Sequence, residues 1–298
     1  MILVTGAAGK TGQAVVKALA TKGASVRAFV RQPEQAAALK ALGAAESSLG
    51  SFEDAGALGL AVAGTRAIYH ICPNVSREEL SIARAVAAAA REHKVKRFVF
   101  HSVLHPHIEA MPHHWNKMRA EEMLLAADFD LTILQPTAYM QNILGAWPGI
   151  VEDGVFRIPY PADTRLSLVD LDDVAEVAAR VLTEDGHAGA TYELVGTPPL
   201  SQTEIATAIG AALNRDISVE AEPVQAWAAR VRTSGMGEHE RATLAAMFCY
   251  YARHGLAGNP NTLRWLLGRA PHDLAHFIAR REERSRVRRS RRKERAPN

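Results

Sequence analysis

Residues able to do chemistry are concentrated at a few places in this sequence, and the first is a glycine-punctuated run. Gly6-Ala7-Ala8-Gly9-Lys10-Thr11-Gly12 follows directly on the apolar stretch Met1-Ile2-Leu3-Val4-Thr5. Gly6 permits a sharp turn out of a strand, Gly9 lets the backbone approach a pyrophosphate, and Gly12 lets the next helix pack closely on a sheet. That helix, predicted from Gln13 to Thr21, aims its N-terminal N–H groups and positive dipole end at phosphate. The spacing is G-x-x-G-x-x-G, whereas the commoner dinucleotide fingerprint is G-x-G-x-x-G. A tight turn that binds nothing is the competing reading. The setting between a strand, a helix and a second strand favours a dinucleotide site built from Gly6 through Gly12.

Arg31 stands just past the second strand, Ser25 to Val30. An NAD-binding protein usually presents a carboxylate there to the ribose 2′-hydroxyl, and the nearest one here is Glu34. A guanidinium fork suits a 2′-phosphate instead, so NADP(H) is favoured, with NAD(H) and a plain surface arginine as the alternatives.

Further along, His101, Ser102, His105, His107, His113, His114 and Lys117 crowd one segment. A lysine beside a nicotinamide ribose orients the cofactor and lowers the pKa of a neighbouring donor. Lys117, His113 or His114 could stabilise or protonate an anion that develops during hydride transfer, since free imidazole titrates near neutrality. Ser102 ends a strand, where it hydrogen-bonds either a ligand or the strand's own backbone. A metal site is disfavoured, because no carboxylate or cysteine stands at a ligand spacing from these histidines.

These residues need a scaffold that brings them together. Apolar runs at Ala67 to Ile71, Arg97 to Ser102 and Leu131 to Gln135 read as buried strands, and Ala45 to Leu49 as a poorer one. Helices are predicted between them, over Pro33 to Leu42 and Glu53 to Val62, from the Ser76-x-x-Glu79 capping box to His93, and from Lys117 to Ala126. Strict alternation implies an α/β fold, a doubly wound parallel sheet with right-handed crossovers. Ligands of such sheets bind at the strands' carboxyl ends, which adds Ile71 and Cys72 after the fourth strand and Pro136, Thr137 and Tyr139 after the sixth to the cofactor-binding set. Cys72 reads as a packing residue, not a reactive thiol.

In the second half, Gly154 to Pro161 reads as a hairpin arm and Asp172 to Leu182 as an amphipathic helix. A strand follows over Gly189 to Val195, and Ser201-x-x-Glu204 is a second capping box opening a helix to Leu213. Helices are expected at Pro223 to Arg232, Glu238 to His254, Thr262 to Leu267 and from Pro271 onward.

Composition agrees with a folded protein: of 298 residues 48% are hydrophobic and 22% charged. The chain has two cysteines, Cys72 and Cys249, and no long apolar run, so a cytoplasmic protein without a membrane span or leader is predicted. The formal charge of +3 hides an asymmetry. Residues 280–295 hold ten Lys/Arg and three Glu, a net of +7, which leaves −4 on the rest. Such a run can hold nucleic acid, but no aromatic residue is interleaved, and a solvated extension, helical or disordered, is the plainer reading of 280–298.

The run from Val4 to Gly12, Arg31, the Lys117 helix and Leu134 to Asn142 together resemble the NmrA-like branch of the atypical short-chain dehydrogenases, over residues 1 to 280. The resemblance implies a Rossmann domain, 1–135 with 170–195, and a smaller interleaved substrate domain, 136–169 with 196–279. It also implies that the glycine loop holds pyrophosphate, Arg31 the adenosine phosphate and Lys117 the nicotinamide side. One departure stands out: Tyr-x-x-x-Lys enzymes carry their proton donor four residues before the lysine, where this chain has His113. Isoflavone-reductase-like relatives also lack that tyrosine and still reduce substrates. The family therefore implies an NADP(H)-binding oxidoreductase acting on a small quinone, carbonyl or activated double bond. The alternative is a non-catalytic redox sensor that binds a regulatory protein partner. A nucleotide-sugar epimerase or dehydratase fits less well, because such relatives keep the tyrosine.

Overall fold

The computed structural model describes residues 1–283, so most of the basic run lies outside the described residues. Seven strands form one parallel sheet: β1 (Ile2–Val4), β2 (Val26–Val30), β3 (Glu46–Leu49), β4 (Ala67–His70), β5 (Arg97–His101), β6 (Asp130–Pro136) and, after a long excursion, β11 (Thr191–Leu194). Their order is β11-β6-β5-β4-β1-β2-β3. The order reverses between β1 and β4, so the chain enters the sheet at its switch point, where doubly wound sheets bind ligands. β1 is buried throughout, because neighbours flank it on both edges and helices cover both faces. The expected doubly wound α/β sheet is the fold observed, and even Glu46–Leu49, poor strand material, pairs in register with β2 at its exposed edge.

On one face α1 (Lys10–Thr21) and α7 (Leu171–Thr183) pack together over Ile2, Val4 and Leu134. On the other, α3 (Ala55–Val62), α4 (Glu79–Glu92) and α5 (Pro112–Leu125) cover Leu3, Ile68, Phe98 and Phe100. Small residues make this closeness workable: α4 buries Ala83, Ala87, Ala89 and Ala90 beside Ile82 and Val86. Between β2 and β3 lies α2 (Pro33–Ala41).

The excursions build a third apolar cluster beyond the carboxyl ends of the strands. It gathers Met140, Trp147, Ile158, Leu168, Ile205, Ile209, Tyr251 and Phe277 from distant stretches. Its strands are short pairs. β7 (Ala138–Tyr139) runs parallel to β10 (Leu168–Val169), and β9 (Arg165–Leu166) antiparallel to β12 (Leu200–Ser201). The expected hairpin at Gly154 to Pro161 does not form. β8 (Val155–Ile158) instead pairs in parallel with β13 (Ser218–Ala221), a partner the local turn signals do not reveal.

The helical elements of this layer are α6 (Trp147–Glu152), α8 (Gln202–Leu213), α9 (Val224–Val231), α10 (Glu238–His254) and a last helix that begins at 274, three residues later than expected, while α11 (Asn261–Leu267) packs on β11 and α7 in the first cluster. The last helix is held by Asp170, the buried N-cap of α7, which Arg280 pairs with across the chain. Among the described residues no helix is long and apolar enough to cross a membrane.

Candidate functional site

The glycine loop has the shape its spacing suggested. Gly6 has a φ of +57°, and a Cβ there would stand 2.6 Å from the Ile71 carbonyl oxygen. At Gly12 a Cβ would meet the Gly6 carbonyl oxygen at 2.3 Å, so the first turn of the helix lies directly on the loop. Gly9 is exposed and serves as N-cap, with no side-chain cap and no acidic residue in the first turn. The helix starts at Lys10, one turn before the expected Gln13, and no side chain caps its leading N–H groups, the condition under which a helix start can take up an anion. Of the other loop residues, Ala7 is buried beneath the turn, while Ala8 accepts a hydrogen bond from the Gln13 side chain at 2.7 Å.

Arg31 follows β2 and is exposed. Gln35 Oε1 accepts from its backbone N–H at 3.0 Å and from that of Gln32 at 3.2 Å, which fixes the backbone while leaving the guanidinium side chain outside.

Thr5 links the loop to the end of β4. Its hydroxyl accepts from the Ile71 N–H at 3.1 Å and lies 2.9 Å from His70 Nδ1. Ile71 is partly buried, whereas Cys72 is buried beside Glu79 and Lys117. Burial pushes the Cys72 thiol far above its ordinary range, so it is an inert packing residue, as the sequence suggested.

Lys117 lies in the second turn of α5, which begins at Pro112, five residues earlier than expected. Proline at the first position favours that start and brings His113 and His114 into the first turn. The Lys117 ammonium donates to Glu79 Oε1 at 2.9 Å and to the His101 carbonyl oxygen at 3.0 Å, and lies 5.2 Å from the centre of the Phe100 ring. The Lys117 side chain is 14% exposed and that of Glu79 5%. Glu79 was expected to close a capping box with Ser76. It turns inward instead, α4 starts at Glu79 without a side-chain cap, and the Ser76 hydroxyl accepts from the Glu78 N–H and faces the Cys72 thiol.

Burial keeps His101, His113 and His114 neutral near pH 7. Burial lowers the pKa of His101 and His113 to about 3 and that of His114 to about 4, with the Lys117 charge as a further cause. Near pH 7 the N–H of a neutral imidazole is only weakly acidic, so burial disfavours the expected proton donation by His113 or His114. His114 Nδ1 donates to the His105 carbonyl oxygen at 3.2 Å, while His114 Nε2 and His113 Nδ1 are buried and without a hydrogen-bond partner.

Ser102 Oγ is buried and closes no regular hydrogen bond, although its hydroxyl faces Glu121. Burial raises the pKa of Glu121, whose two oxygens accept from Gln135 Nε2 at 3.0 and 3.1 Å.

Across β4 and β5 a buried chain of hydroxyls meets the glycine loop from below. His101 Nδ1 lies 2.5 Å from the Tyr69 hydroxyl, and His101 Nε2 lies 2.7 Å from that of Tyr139. Thr11 Oγ1 donates to the Tyr139 oxygen at 3.4 Å. Tyr139 thus joins the glycine loop to the segment that leaves β6. The neighbouring Thr137 points elsewhere, donating to the Ser167 carbonyl oxygen at 2.9 Å, and Pro136 is buried within β6. Among the described residues no group of three or more His, Cys, Asp or Glu is placed to hold a metal ion.

Residues 1–279 match the model of the NmrA-like family. The chain belongs to the NmrA-like family. NmrA-like relatives of similar length include an NAD(P)H azoreductase of Xenophilus azovorans, 28% identical over 282 residues that cover 93% of this chain and 96% of that one. Quinone oxidoreductase 2 of Escherichia coli (strain K12) is 27% identical over 94% of this chain and 98% of its own. A crystal structure of the E. coli NADPH-dependent quinone oxidoreductase complexed with NADPH superposes with a TM-score of 0.83, at 27% identity and covering 94% of this chain and 99% of that one.

Glu79, Tyr139 as a bridge, and the His101 chain are what sequence reasoning did not find in this NmrA-like site. Glu79 carried a signal, the short Ser-x-x-Glu motif, but that motif pointed to a cap. His101 was noticed only as one histidine among five.

Proposed function

We propose that this protein is an NADPH-dependent oxidoreductase that reduces a small organic acceptor, a quinone or another carbonyl or activated double bond. The observation that carries the reading is the placement of a buried ammonium, Lys117, at the carboxyl ends of β4 and β5, on the same sheet edge as the glycine loop. The residues present fit a nicotinamide dinucleotide. The outward-facing turn at Gly9 and the uncapped start of α1 suit the pyrophosphate, and Arg31 suits a 2′-phosphate, which favours NADP(H) over NAD(H). Ile71 and Tyr139 border that edge and would shape its walls, with Cys72, Pro136 and Thr137 buried behind them.

When bound, the reduced cofactor supplies hydride. Lys117 holds positive charge where the acceptor oxygen gains electrons, so the anion that follows hydride addition is stabilised and takes up its proton from the ammonium or from solvent through it. The neutral His113 and His114 contribute N–H groups for hydrogen bonding and no charge, and Ser102 offers a hydroxyl at the end of β5. Residues 1–135 with 170–195 hold the cofactor, and 136–169 with 196–279 shape the acceptor side. Relatives named for azo and quinone reduction support acceptors that are flat and conjugated.

The test is a binding titration with NADPH and NADH, followed by cofactor oxidation with quinones, enones, aldehydes and an azo dye. NADPH is expected to bind more tightly than NADH. Arg31→Ala should weaken NADPH about tenfold, an effect of about 1.4 kcal/mol. Turnover should be lost in Lys117→Ala with NADPH binding retained. Tight binding with no turnover of any acceptor would overturn the reading and assign the protein to cofactor sensing, with a protein partner to be sought by cofactor-dependent capture.

A further inference from the structure

Glu79 is the charged residue nearest the site that the reading above leaves without a task. Its carboxylate is almost fully buried, although it lies at the start of a helix where an exposed position was available. A buried ion pair is a poor means of stabilising a fold, since apolar residues of similar size often do as well, so stability alone does not account for this arrangement.

The surroundings of Lys117 define what Glu79 supplies. On β4 and β5 the ammonium faces the Phe100 ring, the His101 carbonyl oxygen and two histidines, His70 and His101, which burial keeps neutral. Past β4 it meets the Cys72 thiol, protonated through burial. On its own helix stand the neutral His113 and His114, and one turn further on Glu121, whose oxygens are taken by Gln135 and whose pKa is raised. The carboxylate within hydrogen-bond reach of the ammonium is that of Glu79, at 2.9 Å. An ammonium has three N–H donors. Glu79 and the His101 carbonyl take two of them, which fixes the rotamer and leaves one for a ligand at the sheet edge.

We infer that Glu79 is the positioning residue for Lys117, holding the ammonium in place and in its charged form at the carboxyl ends of β4 and β5. This rests on the oxidoreductase reading for its kinetic consequences but not for its electrostatic one. Glu79→Gln separates the two duties, because the amide oxygen still accepts from the ammonium while the countercharge is gone.

The experiment compares wild type, Glu79→Gln and Glu79→Asp in two ways. In the first, the pH profile of kcat is measured with NADPH and 2-methyl-1,4-naphthoquinone. Glu79→Gln should move the alkaline limb down by about 1 to 2 pH units, the size expected for loss of an adjacent opposite charge, while Glu79→Asp returns most of the shift. In the second, protein labelled with 13C at lysine Cε is titrated by NMR, with the Lys117 signal assigned from its absence in Lys117→Arg. The same downward shift should appear there without any turnover. An alkaline limb and a Lys117 signal that both stay in place in folded Glu79→Gln would overturn the inference. If wild type turns over no acceptor, the oxidoreductase reading fails, and the NMR titration still decides the role of Glu79. Should Glu79→Gln not fold, Glu79→Asp, which draws the charge back by one methylene, must show a smaller downward shift of the Lys117 signal, and none would count against the proposal.

Discussion

Two stretches of this chain carry the same four-residue signature and use it differently. Ser201-x-x-Glu204 closes a reciprocal cap: Ser201 Oγ accepts from the Glu204 N–H at 3.1 Å, and Glu204 Oε2 accepts from the Ser201 N–H at 2.7 Å. Ser76-x-x-Glu79 forms no such box, because Glu79 points inward to Lys117, 38 residues away in sequence. Glu204 is exposed and has an exposed arginine, Arg165, as its ionic partner. Glu79 is placed over the ends of β4 and β5, where a buried ammonium competes for it. A cap contributes about 1 kcal/mol, whereas leaving a charge buried and unpaired costs about 3 kcal/mol or more, so the long-range pair prevails where the two conflict.

The contrast makes ordered predictions. The largest concerns acid, since the burial that drew Glu79 inward also keeps imidazoles neutral. His70 and His101 have pKa values of about 3 in the fold, from burial first and the Lys117 charge second. The unfolded chain protonates them near pH 6.5, so it binds more protons than the native state between pH 6.5 and 3. Stability from these two is level above pH 6.5 and falls as pH drops below it, by about 2 kcal/mol each at pH 5. Urea midpoints at pH 7 and pH 5 should show this, with His70→Asn giving a shallower fall; an equal fall in that variant would refute the assignment.

Next in size, Lys117→Ala leaves Glu79 buried without its cation and should destabilise the protein by about 3 kcal/mol in urea unfolding at pH 7. Replacing Glu79 as well should recover part of that loss. Ser201→Ala removes a working cap and should cost about 1 kcal/mol. Ser76→Ala, the matching change at the other motif, removes no reciprocal cap from the half-buried Ser76 and should cost less, about 0.5 kcal/mol. Equal costs for the two serines would erase the distinction drawn between them.

The two motifs also mark how far the sequence could be read. Gly6, Gly9 and Gly12 were legible because the constraint on each lies within a few residues: a positive φ, a cap, a helix resting on its own loop. The parallel sheet was legible for a similar reason, since runs such as Phe98-Val99-Phe100 declare burial on both faces. Glu79 was hidden because its partner is distant. The parallel pairing of Val155–Ile158 with Ser218–Ala221 was hidden in the same way, and a local reading substituted a hairpin. The surroundings of His113 were hidden as well, because a sequence gives the free imidazole and not the burial that shifts it.

The hold of Arg280 on Asp170 bears on where this chain can be shortened. The family match ends at residue 279, and a version cut there for convenience would lose the guanidinium whose partner is fully buried at the head of α7. Since α7 packs on α1, the helix that opens at the glycine loop, damage at the far end of the chain would be felt beneath that loop. A shortened version is better ended at residue 283, and an affinity tag attached beyond that point leaves the clasp whole.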